Sequence, residues 1–336
     1  MTVKRTLHQT GLFAGALAVI ATGLLLWQAP FPDEGNTAVP PHTLWGPGSR
    51  IVAAPLPEVV AVVPSTVADL QARFNELGYD WNDAANKVPR IRVERFPTDI
   101  GDIPEPAVKK QLFFQAMLPL VLMENERILT DRARLLAIDR AARAGFAPAA
   151  ADQAWMNGLA ARYRVTLPTA TDEGRKLLLS RANAVPHSLV LAMAATESGW
   201  GSSRFCAEGN NLFGQWTYKR GTGMVPKNRT AGARHEVAVF SNLADSVRAY
   251  LHNLNTHRAY AKFRAVRAQL GDLAADHAGP ELARTLTQYS ERGSEYTDDL
   301  ELMIRANALT RFDRANLDTP SPFLEALLAL PAPTRT

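Results

Sequence analysis

The sequence predicts a mainly α-helical protein that contains a small β-hairpin lobe. Beyond residue 105, apolar side chains recur at three- and four-residue steps in most segments, which is the period of an amphipathic helix. The alternation typical of a strand is confined to short stretches, most clearly at 234–240. The single cysteine, Cys206, rules out a disulfide framework. The 336 residues must therefore be stabilised by a hydrophobic core, in one or two domains.

The charge balance of the chain is modestly basic. There are 37 Lys and Arg against 33 Asp and Glu, a formal net charge of +4, and the basic residues are spread along the sequence. Such a surface suits an anionic partner such as cell wall or phospholipid headgroups. The excess is too small for a nucleic-acid-binding protein. We therefore expect no nucleic acid partner, and we expect a monomer.

The N-terminus predicts a membrane anchor. Lys4, Arg5 and His8 precede an uncharged run of 17 residues at 11–27. A helix of that length spans about 25 Å, which is near the lower limit for crossing a bilayer. No convincing small-residue cleavage site follows, so the pattern favours an uncleaved signal anchor over 1–28 rather than a removed signal peptide. The positive flank stays in the cytoplasm, and the remainder would face the periplasm from the inner membrane.

The rest of the chain divides into four parts. These are a proline-rich linker at 29–65, a helical lead-in at 66–168, a domain of helices with a hairpin at 169–318, and a proline-punctuated tail at 319–336. In the lead-in, a helix from residue 105 is expected to kink at Pro119, and a second helix at 129–144 is expected to end at Gly145. The other predicted elements are a helix at 67–79, an extended segment at 88–96, helices at 149–162, 177–182, 188–196, 243–254, 281–289 and 295–309, and a hairpin of 219–224 with 234–240.

Two short motifs carry the most information about function. Glu197 follows the apolar run 189–196 and opens the sequence Glu-Ser-Gly-Trp-Gly, and Asn-Asn-Leu-Phe-Gly follows at 210–214. This pair resembles the signature of the bacterial glucosaminidase family, lysozyme-like hydrolases that cut N-acetylglucosaminyl bonds in peptidoglycan. The resemblance implies a lysozyme-like α+β catalytic domain over 169–318. The lead-in, with Phe-Phe-Gln-Ala-Met-Leu-Pro at 113–119, is similar to the Bax-like members of that family.

The resemblance implies that Glu197 is the general acid of a glycosidase. Glycosidic cleavage needs a carboxyl group that is still protonated near neutral pH. Glu197 is predicted to end a helix, where the helix dipole disfavours its anion, and the aromatic residues near it in sequence could shield it from water. A helix-terminal glutamate by itself is usually solvent exposed. The Asn-Asn-Leu-Phe-Gly motif at 210–214 favours a catalytic role for Glu197 instead.

The candidate for a second catalytic carboxylate is Glu236. Members of the family often place a carboxylate on the hairpin that follows the acid, and Glu236 lies on the predicted strand there. A solvated strand residue is an equal alternative. Glu208 is expected in a loop, and Asp245 fits a helix cap. An inverting mechanism, a retaining mechanism and assistance by the 2-acetamido group of the substrate all stay open.

Six residues are candidates for binding the sugar. Asn210 and Asn211 could bond either the cleft backbone or the acetamido group, and structural capping is as good an explanation for one of them. Phe213 and Trp216 are near enough in sequence to Glu197 to line its site. The remaining two candidates are Tyr289 and Tyr296.

The two tyrosines come from a further point of resemblance. The family carries a stretch similar to Tyr-x-x-Asp-Pro-x-Tyr near the end of the domain. Here the stretch keeps Tyr289 and Tyr296 but lacks Asp-Pro and is one residue longer. Tyr296 also continues a helical stripe with Leu300 and Ile304, so a core position and a sugar site are equal alternatives for it.

No cofactor and no metal are expected. His252 and His257 are five residues apart and do not share a helix face, and no His-Glu-x-x-His motif occurs. The predicted function is therefore an endo-β-N-acetylglucosaminidase that acts on the β-1,4 bonds of peptidoglycan glycan strands. A lytic transglycosylase, which also needs one acid, and a non-catalytic wall-binding protein that keeps the fold are the alternatives.

Overall fold

A computed structural model describes residues 57–226, 234–319 and 321–329 of the chain. The predicted signal anchor and residues 29–56 of the predicted linker lie outside these residues. Within them, no helix is both long and apolar enough to cross a membrane. The described part is mainly helical with two small sheets, as the periodicity of the sequence predicts.

The described residues contain eleven α-helices and five short strands, joined by loops and 3₁₀ turns. The helices are α1 (Val67–Glu76), α2 (Pro106–Arg143), α3 (Ala150–Arg162), α4 (Asp172–Arg181), α5 (His187–Ser198), α6 (Arg204–Gly209), α7 (Leu243–Thr256), α8 (Ala261–Leu270), α9 (Ala278–Ala283), α10 (Ser294–Ala306) and α11 (Pro322–Leu328). The strands are β1 (Val60–Val62), β2 (Ile91–Val93), β3 (Trp216–Thr217), β4 (Gly223–Met224) and β5 (Glu236–Ala238). Strands β1 and β2 pair in parallel, and the other three form an antiparallel sheet in the order β3-β5-β4.

The predicted break in the lead-in is absent. The two helices expected from residue 105 and at 129–144 are one helix, α2, of 38 residues, with Pro119 inside it. Proline removes one backbone hydrogen bond and crowds the preceding turn, which normally costs about 3 kcal/mol. Residues 112–122 of α2 are nearly all buried, and this apolar burial offsets the cost. The prediction of two helices is wrong because local propensity was outweighed by packing.

Other boundaries also differ from the sequence prediction. The helix expected at 281–289 is α9, which ends at Ala283, and Tyr289 lies beyond it. Strand β1 falls inside the segment predicted as linker, where it pairs with β2 over Val60–Val62. Helix α11 falls inside the predicted tail and packs against α2. Prolines close to β1 and α11 made these two segments look irregular in the sequence, although β1 pairs with β2 and α11 packs against α2.

Helix α5 is the centre of the main hydrophobic core. All residues from 189 to 195 are buried, so the helix has no solvent-facing side along that stretch. The same core contains residues of β2 and of the first half of α2, including Ile91, Phe113 and Met117, together with Leu300 and Ile304 of α10. The lead-in and the region that carries Glu197 therefore share one core.

A second, smaller core lies at the other end of α2. It joins Leu135 and Ile138 of α2 to Met156 of α3 and Leu178 of α4. Two buried ion pairs accompany it: Arg134 with Asp152 at 2.9 Å, and Arg175 with Asp139 at 2.8 Å. Since a long helix with one half in each core cannot rotate without disturbing both, α2 fixes the two parts relative to each other.

A residue distant in sequence caps the N-terminus of α5. The position before the helix is Pro186, whose side chain forms no cap. Asp313 takes that role, because its carboxylate accepts the Ser188 backbone N–H at 2.8 Å and the Ser188 hydroxyl at 2.7 Å. Burial raises the pKa of Asp313 to about 7, although both bonds from Ser188 oppose the shift. The helix that ends in Glu197 is thus anchored at its opposite end.

Candidate active site

Glu197 lies in the last turn of α5, just before a tight left-handed turn. Gly199, Trp200 and Gly201 have φ angles of 56°, 60° and 80°. This left-handed region is easy for glycine and costly for tryptophan. A Cβ on Gly201 would come within 2.9 Å of the Phe96 ring, so glycine is also needed there for space. The turn ends the helix abruptly and leaves the Glu197 carboxyl at its tip.

Aromatic residues of the lead-in hold this turn in place. The Trp200 ring meets the rings of Phe113 and Phe114 edge-on, at centroid distances of 5.8 and 5.2 Å. The Lys110 ammonium lies 5.2 Å from the centroid of the Trp200 ring. Edge-to-face and cation–π contacts of this kind stabilise by about 0.5–1.5 kcal/mol each. They offset the strain of a non-glycine residue at positive φ.

The Glu197 side chain is half-buried, and its carboxyl has one side-chain hydrogen-bond donor. The Tyr296 hydroxyl donates to Glu197 Oε1 at 2.6 Å. Burial raises the pKa of Glu197 to about 7, and the bond from Tyr296 lowers it, so desolvation is the larger effect. A pKa raised toward neutral keeps part of the Glu197 population protonated at neutral pH, which is the state that a general acid needs.

A group of tyrosines surrounds this carboxyl. Tyr289 stacks on Tyr296 with 5.5 Å between ring centroids, and the Tyr289 hydroxyl donates to the Phe213 carbonyl at 2.9 Å. Tyr250 stacks on Phe213 at 4.0 Å. Burial raises the pKa of each of these phenols, and the nearby Glu197 charge raises it further. The phenols therefore remain neutral and can act only as hydrogen-bonding and apolar groups.

Tyr296 occupies the core position that its helical stripe predicts, and its hydroxyl reaches the acid candidate from there. Its ring is 4% exposed and belongs to the main core, while its hydroxyl reaches Glu197 and also lies 3.0 Å from Met193 Sδ. Tyr289 is likewise 4% exposed. The two predicted tyrosines thus meet at the acid, behind the carboxyl rather than on an open surface.

Glu236 lies in strand β5 and is bound by the backbone of the neighbouring turn. Its carboxylate accepts the Gly221 N–H at 3.0 Å with each oxygen and the Gly223 N–H at 2.9 Å with Oε2. A Cβ on Gly223 would lie 2.9 Å from the Glu236 Cβ and 2.4 Å from the Val237 carbonyl oxygen. The buried Glu236 therefore joins β4 to β5 and shapes the small sheet.

The two asparagines bind the backbone of the protein. Buried Asn211 donates from Nδ2 to the carbonyls of Gln215 and Ala238, both at 2.8 Å, and accepts the Gln215 N–H at 2.9 Å. Asn210 ends α6 with φ 51° and donates to the Phe240 carbonyl at 3.1 Å. Of the two alternatives that the sequence leaves open, the hydrogen bonds favour fastening of the small sheet.

Phe213 and Trp216 are buried as well. Phe213 is fully buried beneath Tyr250, and its backbone carbonyl receives the Tyr289 hydroxyl. Trp216 is 5% exposed and stacks on His235 with 3.9 Å between ring centroids. Their rings form the floor under the site and the core of the small sheet, so neither ring presents an open face for stacking on a sugar.

Sequence reasoning missed three contributors to the site. Tyr250 and Tyr260 are buried with pKa values raised by burial and by Glu197, and Phe96 packs on Gly201. Tyr250 was visible only as part of the apolar stripe of α7, which gives no functional signal. Phe96 and Tyr260 lie far from Glu197 in sequence, and only the packing of β2 and α7 brings them near.

Across the described residues, no group of three or more His, Cys, Asp or Glu side chains is assembled that could hold a metal ion. His252 Nε2 bonds the Arg162 carbonyl at 2.7 Å, and His257 accepts the Ala259 N–H at 3.2 Å. Cys206 is buried, and burial raises the pKa of its thiol to about 12. Its thiol is therefore no nucleophile near neutral pH.

Comparison with known proteins gives two matches and one negative result. The glucosaminidase family, described as mannosyl-glycoprotein endo-beta-N-acetylglucosaminidase, matches residues 177–309. Protein bax of Escherichia coli (strain K12) is 33% identical over 213 residues, which cover 62% of this chain and 73% of that protein. No solved structure matches the chain significantly. The family match contains α5, the small sheet and α10, whereas the lead-in residues that pack on Trp200 lie outside it.

Proposed function

Because the chain belongs to the glucosaminidase family as a Bax-like member, we propose that it is an endo-β-N-acetylglucosaminidase with Glu197 as the general acid. Its substrate would be the β-1,4 bonds of peptidoglycan glycan strands. The observation that supports this proposal is the Glu197 carboxyl at the tip of α5, with a pKa of about 7 and the Tyr296 hydroxyl on one oxygen. An acid poised near the working pH is what glycosidic cleavage requires.

The geometry also suggests which oxygen of Glu197 delivers the proton. Oε1 accepts the hydrogen bond from Tyr296, so the proton resides on Oε2 in the acid form. Oε2 would give that proton to the bridging oxygen as the bond from C1 to this oxygen breaks. Positive charge then develops on the sugar ring, and a water molecule or the 2-acetamido oxygen attacks C1. Where the acetamido oxygen attacks, water opens the resulting oxazolinium ring and gives a proton to Glu197; where water attacks directly, its proton passes to solvent and Glu197 is reprotonated from solvent.

The role of Glu236 as a base is less well supported. Its carboxylate already accepts hydrogen bonds from the Gly221 and Gly223 amides. These bonds stabilise the ionised form and so oppose the uptake of a proton from water that a base must perform. This observation favours a mechanism with one acidic carboxyl, assisted by the 2-acetamido group. It also favours the second candidate function, a lytic transglycosylase, in which the 6-hydroxyl of N-acetylmuramic acid attacks and no water is needed.

The proposed location is the periplasmic face of the inner membrane. Its support is the sequence alone, namely the basic flank and the uncharged run at 11–27. Fractionation of cells that express the full-length protein tests it. Recovery with inner membranes after a high-salt wash, with the C-terminus accessible to protease in spheroplasts, is the expected outcome. Recovery in the soluble periplasmic fraction would contradict an uncleaved anchor.

Mass spectrometry of fragments released from purified sacculi tests the reaction. The full-length protein is expected to release fragments with reducing N-acetylglucosamine ends, and Glu197→Gln is expected to release none. Anhydro-muramyl ends would instead identify a transglycosylase. If neither protein releases fragments and both stay bound to sacculi, the chain is a wall-binding protein and the proposed hydrolysis is wrong.

A further inference from the structure

A row of four aromatic rings connects the two ends of α5. At one end, the ring centroid of Phe312 lies 4.8 Å from that of Trp81, which in turn lies 6.3 Å from that of Phe114. At the other end, the centroid of Phe114 lies 5.2 Å from that of Trp200, a residue that follows α5 by two positions. The Phe312 carbonyl oxygen lies 2.7 Å from Nδ1 of His187, the first residue of α5. We call Trp81, Phe114, Trp200 and Phe312 the aromatic row.

Three of these four rings come from outside the part of the chain that matches the glucosaminidase family. Trp81 lies in a 3₁₀ turn after α1, Phe114 lies in α2, and Phe312 lies in a 3₁₀ turn after α10. The family match covers 177–309 and so includes only Trp200. The aromatic row therefore forms only when the lead-in and the segment after α10 pack against α5.

Trp200 is the side chain that fixes the turn after α5 to the lead-in. Gly199 and Gly201 on either side of it have no side chains, and Trp200 itself has a φ of 60°, which is a costly conformation for tryptophan. Hydrogen bonds from the Gly201 N–H to Ser198 Oγ and from Ser202 Oγ to the Gly199 carbonyl close the turn on itself. They do not fix the turn relative to α2. Since a strained backbone persists only where its surroundings hold it, the ring contacts of Trp200 decide where this turn lies.

Glu197 lies between contacts from two different helices. Its carboxyl receives the Tyr296 hydroxyl from α10, and three residues later Trp200 meets Phe114 of α2. Residues 189–195 of α5 are buried, so the body of the helix is fixed by the core. The half-buried tip that carries Glu197 is the part whose position depends on the Trp200 ring.

We propose that Trp200 is a positioning residue for Glu197 and that the aromatic row makes the lead-in part of the catalytic machinery. The inference rests on the proposed function, in which Glu197 donates a proton to the leaving oxygen. A donor must lie within about 3 Å of that oxygen, and a displacement of about 1 Å can cost about 10²-fold in rate. Loss of the Trp200 ring therefore lowers kcat through the placement of Glu197.

The same placement controls how much water reaches the Glu197 carboxyl. Desolvation is the larger cause of its raised pKa, and the bond from Tyr296 opposes it. When the tip of α5 moves away from α2, the carboxyl gains water and its pKa falls toward that of an ordinary glutamate. Four phenols interact with the Glu197 charge, and they remain neutral near pH 7. They are those of Tyr250, Tyr260, Tyr289 and Tyr296.

Steady-state kinetics of the full-length protein on soluble peptidoglycan strands tests the proposal. The variant is Trp200→Ala. The matched control is Trp155→Ala, because Trp155 is also half-buried and the Arg134 guanidinium lies 4.3 Å from its ring centroid. Trp155 packs against the second core rather than the main one. Thermal denaturation measures how much stability each variant loses.

Trp200→Ala is expected to lower kcat about 10²-fold with KM little changed, and to move the high-pH limb of the kcat profile down by about one pH unit. Trp155→Ala should leave both kcat and the limb unchanged. Trp200→Phe keeps an aromatic edge at the same place and should recover most of kcat and of the limb. Equal effects in Trp200→Ala and Trp155→Ala, or a loss in Trp200→Phe as large as in Trp200→Ala, overturn the proposal.

A milder substitution tests the aromatic row even if Trp200→Ala does not fold. Phe114→Leu keeps most of the buried volume but removes the ring that lies between Trp81 and Trp200. It should lower kcat about 10-fold and move the high-pH limb down as well. Met156→Leu, a similar change in the second core, is the control. A limb that stays in place in Phe114→Leu overturns the proposal.

A direct measurement of the Glu197 pKa separates this inference from the proposed function. Carbon-13 NMR follows the glutamate carboxyl groups of labelled protein as the pH is varied, and the spectrum of Glu197→Gln identifies the Glu197 signal. A Glu197 pKa that is lowered in Trp200→Ala but not in Trp155→Ala supports the inference even if the wild-type protein cleaves no substrate. Hydrolysis by the wild-type protein together with an unchanged Glu197 pKa in Trp200→Ala overturns the inference and leaves the proposed function standing.

Discussion

The tip of α5 and the small sheet each present a carboxyl group, and their surroundings are opposite. Glu197 has one side-chain donor, Tyr296 at 2.6 Å, and burial raises its pKa to about 7. Glu236 receives backbone N–H groups from Gly221 and Gly223 at 2.9–3.0 Å. Amide donors stabilise a carboxylate in its charged form, whereas removal from water favours the protonated form.

Two glutamates 39 residues apart are thus suited to different tasks. Desolvation makes Glu197 suited to donating a proton. Backbone donors make Glu236 suited to holding a turn in shape. The residue type is the same for the two, so the difference lies in which groups the fold brings to each carboxyl.

The largest expected effect is a loss of activity on substitution of Glu197, which distinguishes its role from that of Glu236. Glu197→Gln keeps the side-chain volume but cannot donate a proton to the leaving oxygen at a useful rate. We expect kcat to fall about 10³-fold with substrate binding retained. Release of reducing ends from sacculi measures it. The control is Glu208→Gln, an exposed glutamate paired with Arg204, which should keep its activity; activity retained by Glu197→Gln would remove Glu197 as the acid.

A smaller loss is expected at the small sheet. Glu236→Gln replaces an acceptor of two backbone amides with a group that has one acceptor oxygen, which should destabilise the fold by about 1–3 kcal/mol. Activity should fall about 10-fold, in step with a lower Tm. Circular dichroism melting and the sacculus assay are run on the same samples. A loss as large as that of Glu197→Gln at unchanged Tm would make Glu236 the second catalytic carboxylate.

The hydrogen bond from Tyr296 should set the upper pH limit of activity. The bond stabilises the Glu197 carboxylate, so Tyr296→Phe should raise the pKa of Glu197 above about 7. The high-pH limb of the kcat profile should move up by about one pH unit, because the acid stays protonated to higher pH. Tyr289→Phe is the matched control, since its hydroxyl bonds the Phe213 carbonyl instead. A limb that moves equally in both variants, or in neither, would contradict this role.

The smallest expected effect is on stability. The pKa of Glu197 is about 7 in the folded protein against 4.5 for an ordinary glutamate, so its contribution to the free energy of unfolding is complete below about pH 4.5 and is lost as the pH rises through about 7. Glu197→Gln lacks this titration. Relative to wild type it should gain up to about 2 kcal/mol between pH 4.5 and 8, a figure reduced because the carboxyl is partly exposed. Urea unfolding at several pH values checks it, and a pH-independent difference would refute the desolvation of Glu197.

Much of the fold is readable from local pattern. Helices such as α3, α5, α7 and α10 follow apolar spacing, and β5 follows alternation. Prediction failed where distant partners decided the outcome. Pro119 is tolerated in α2 because both faces of that segment are buried, and β1 exists because β2 lies beside it.

The candidate site divides in the same way. The motif around Glu197 predicts which residue is the acid, and the two tyrosines near residue 290 are predicted from the family pattern. Their arrangement is not, because Tyr296 reaches Glu197 across 99 residues of sequence. Phe213 and Trp216 were candidates for sugar binding because they lie near Glu197 in sequence. Their burial could not be predicted, since proximity along a chain does not say which side of a ring faces solvent.

The sequence by itself determined the helical class, the family and the residue that we propose as the acid, because each depends on residues close together in the chain. Tertiary structure alone decided the chemistry of that acid. Its pKa depends on burial by residues from α5, α7 and α10 and on one phenol, and its turn depends on aromatic residues of α2. Desolvation is a property of everything that surrounds a group, so no local stretch of sequence can specify it.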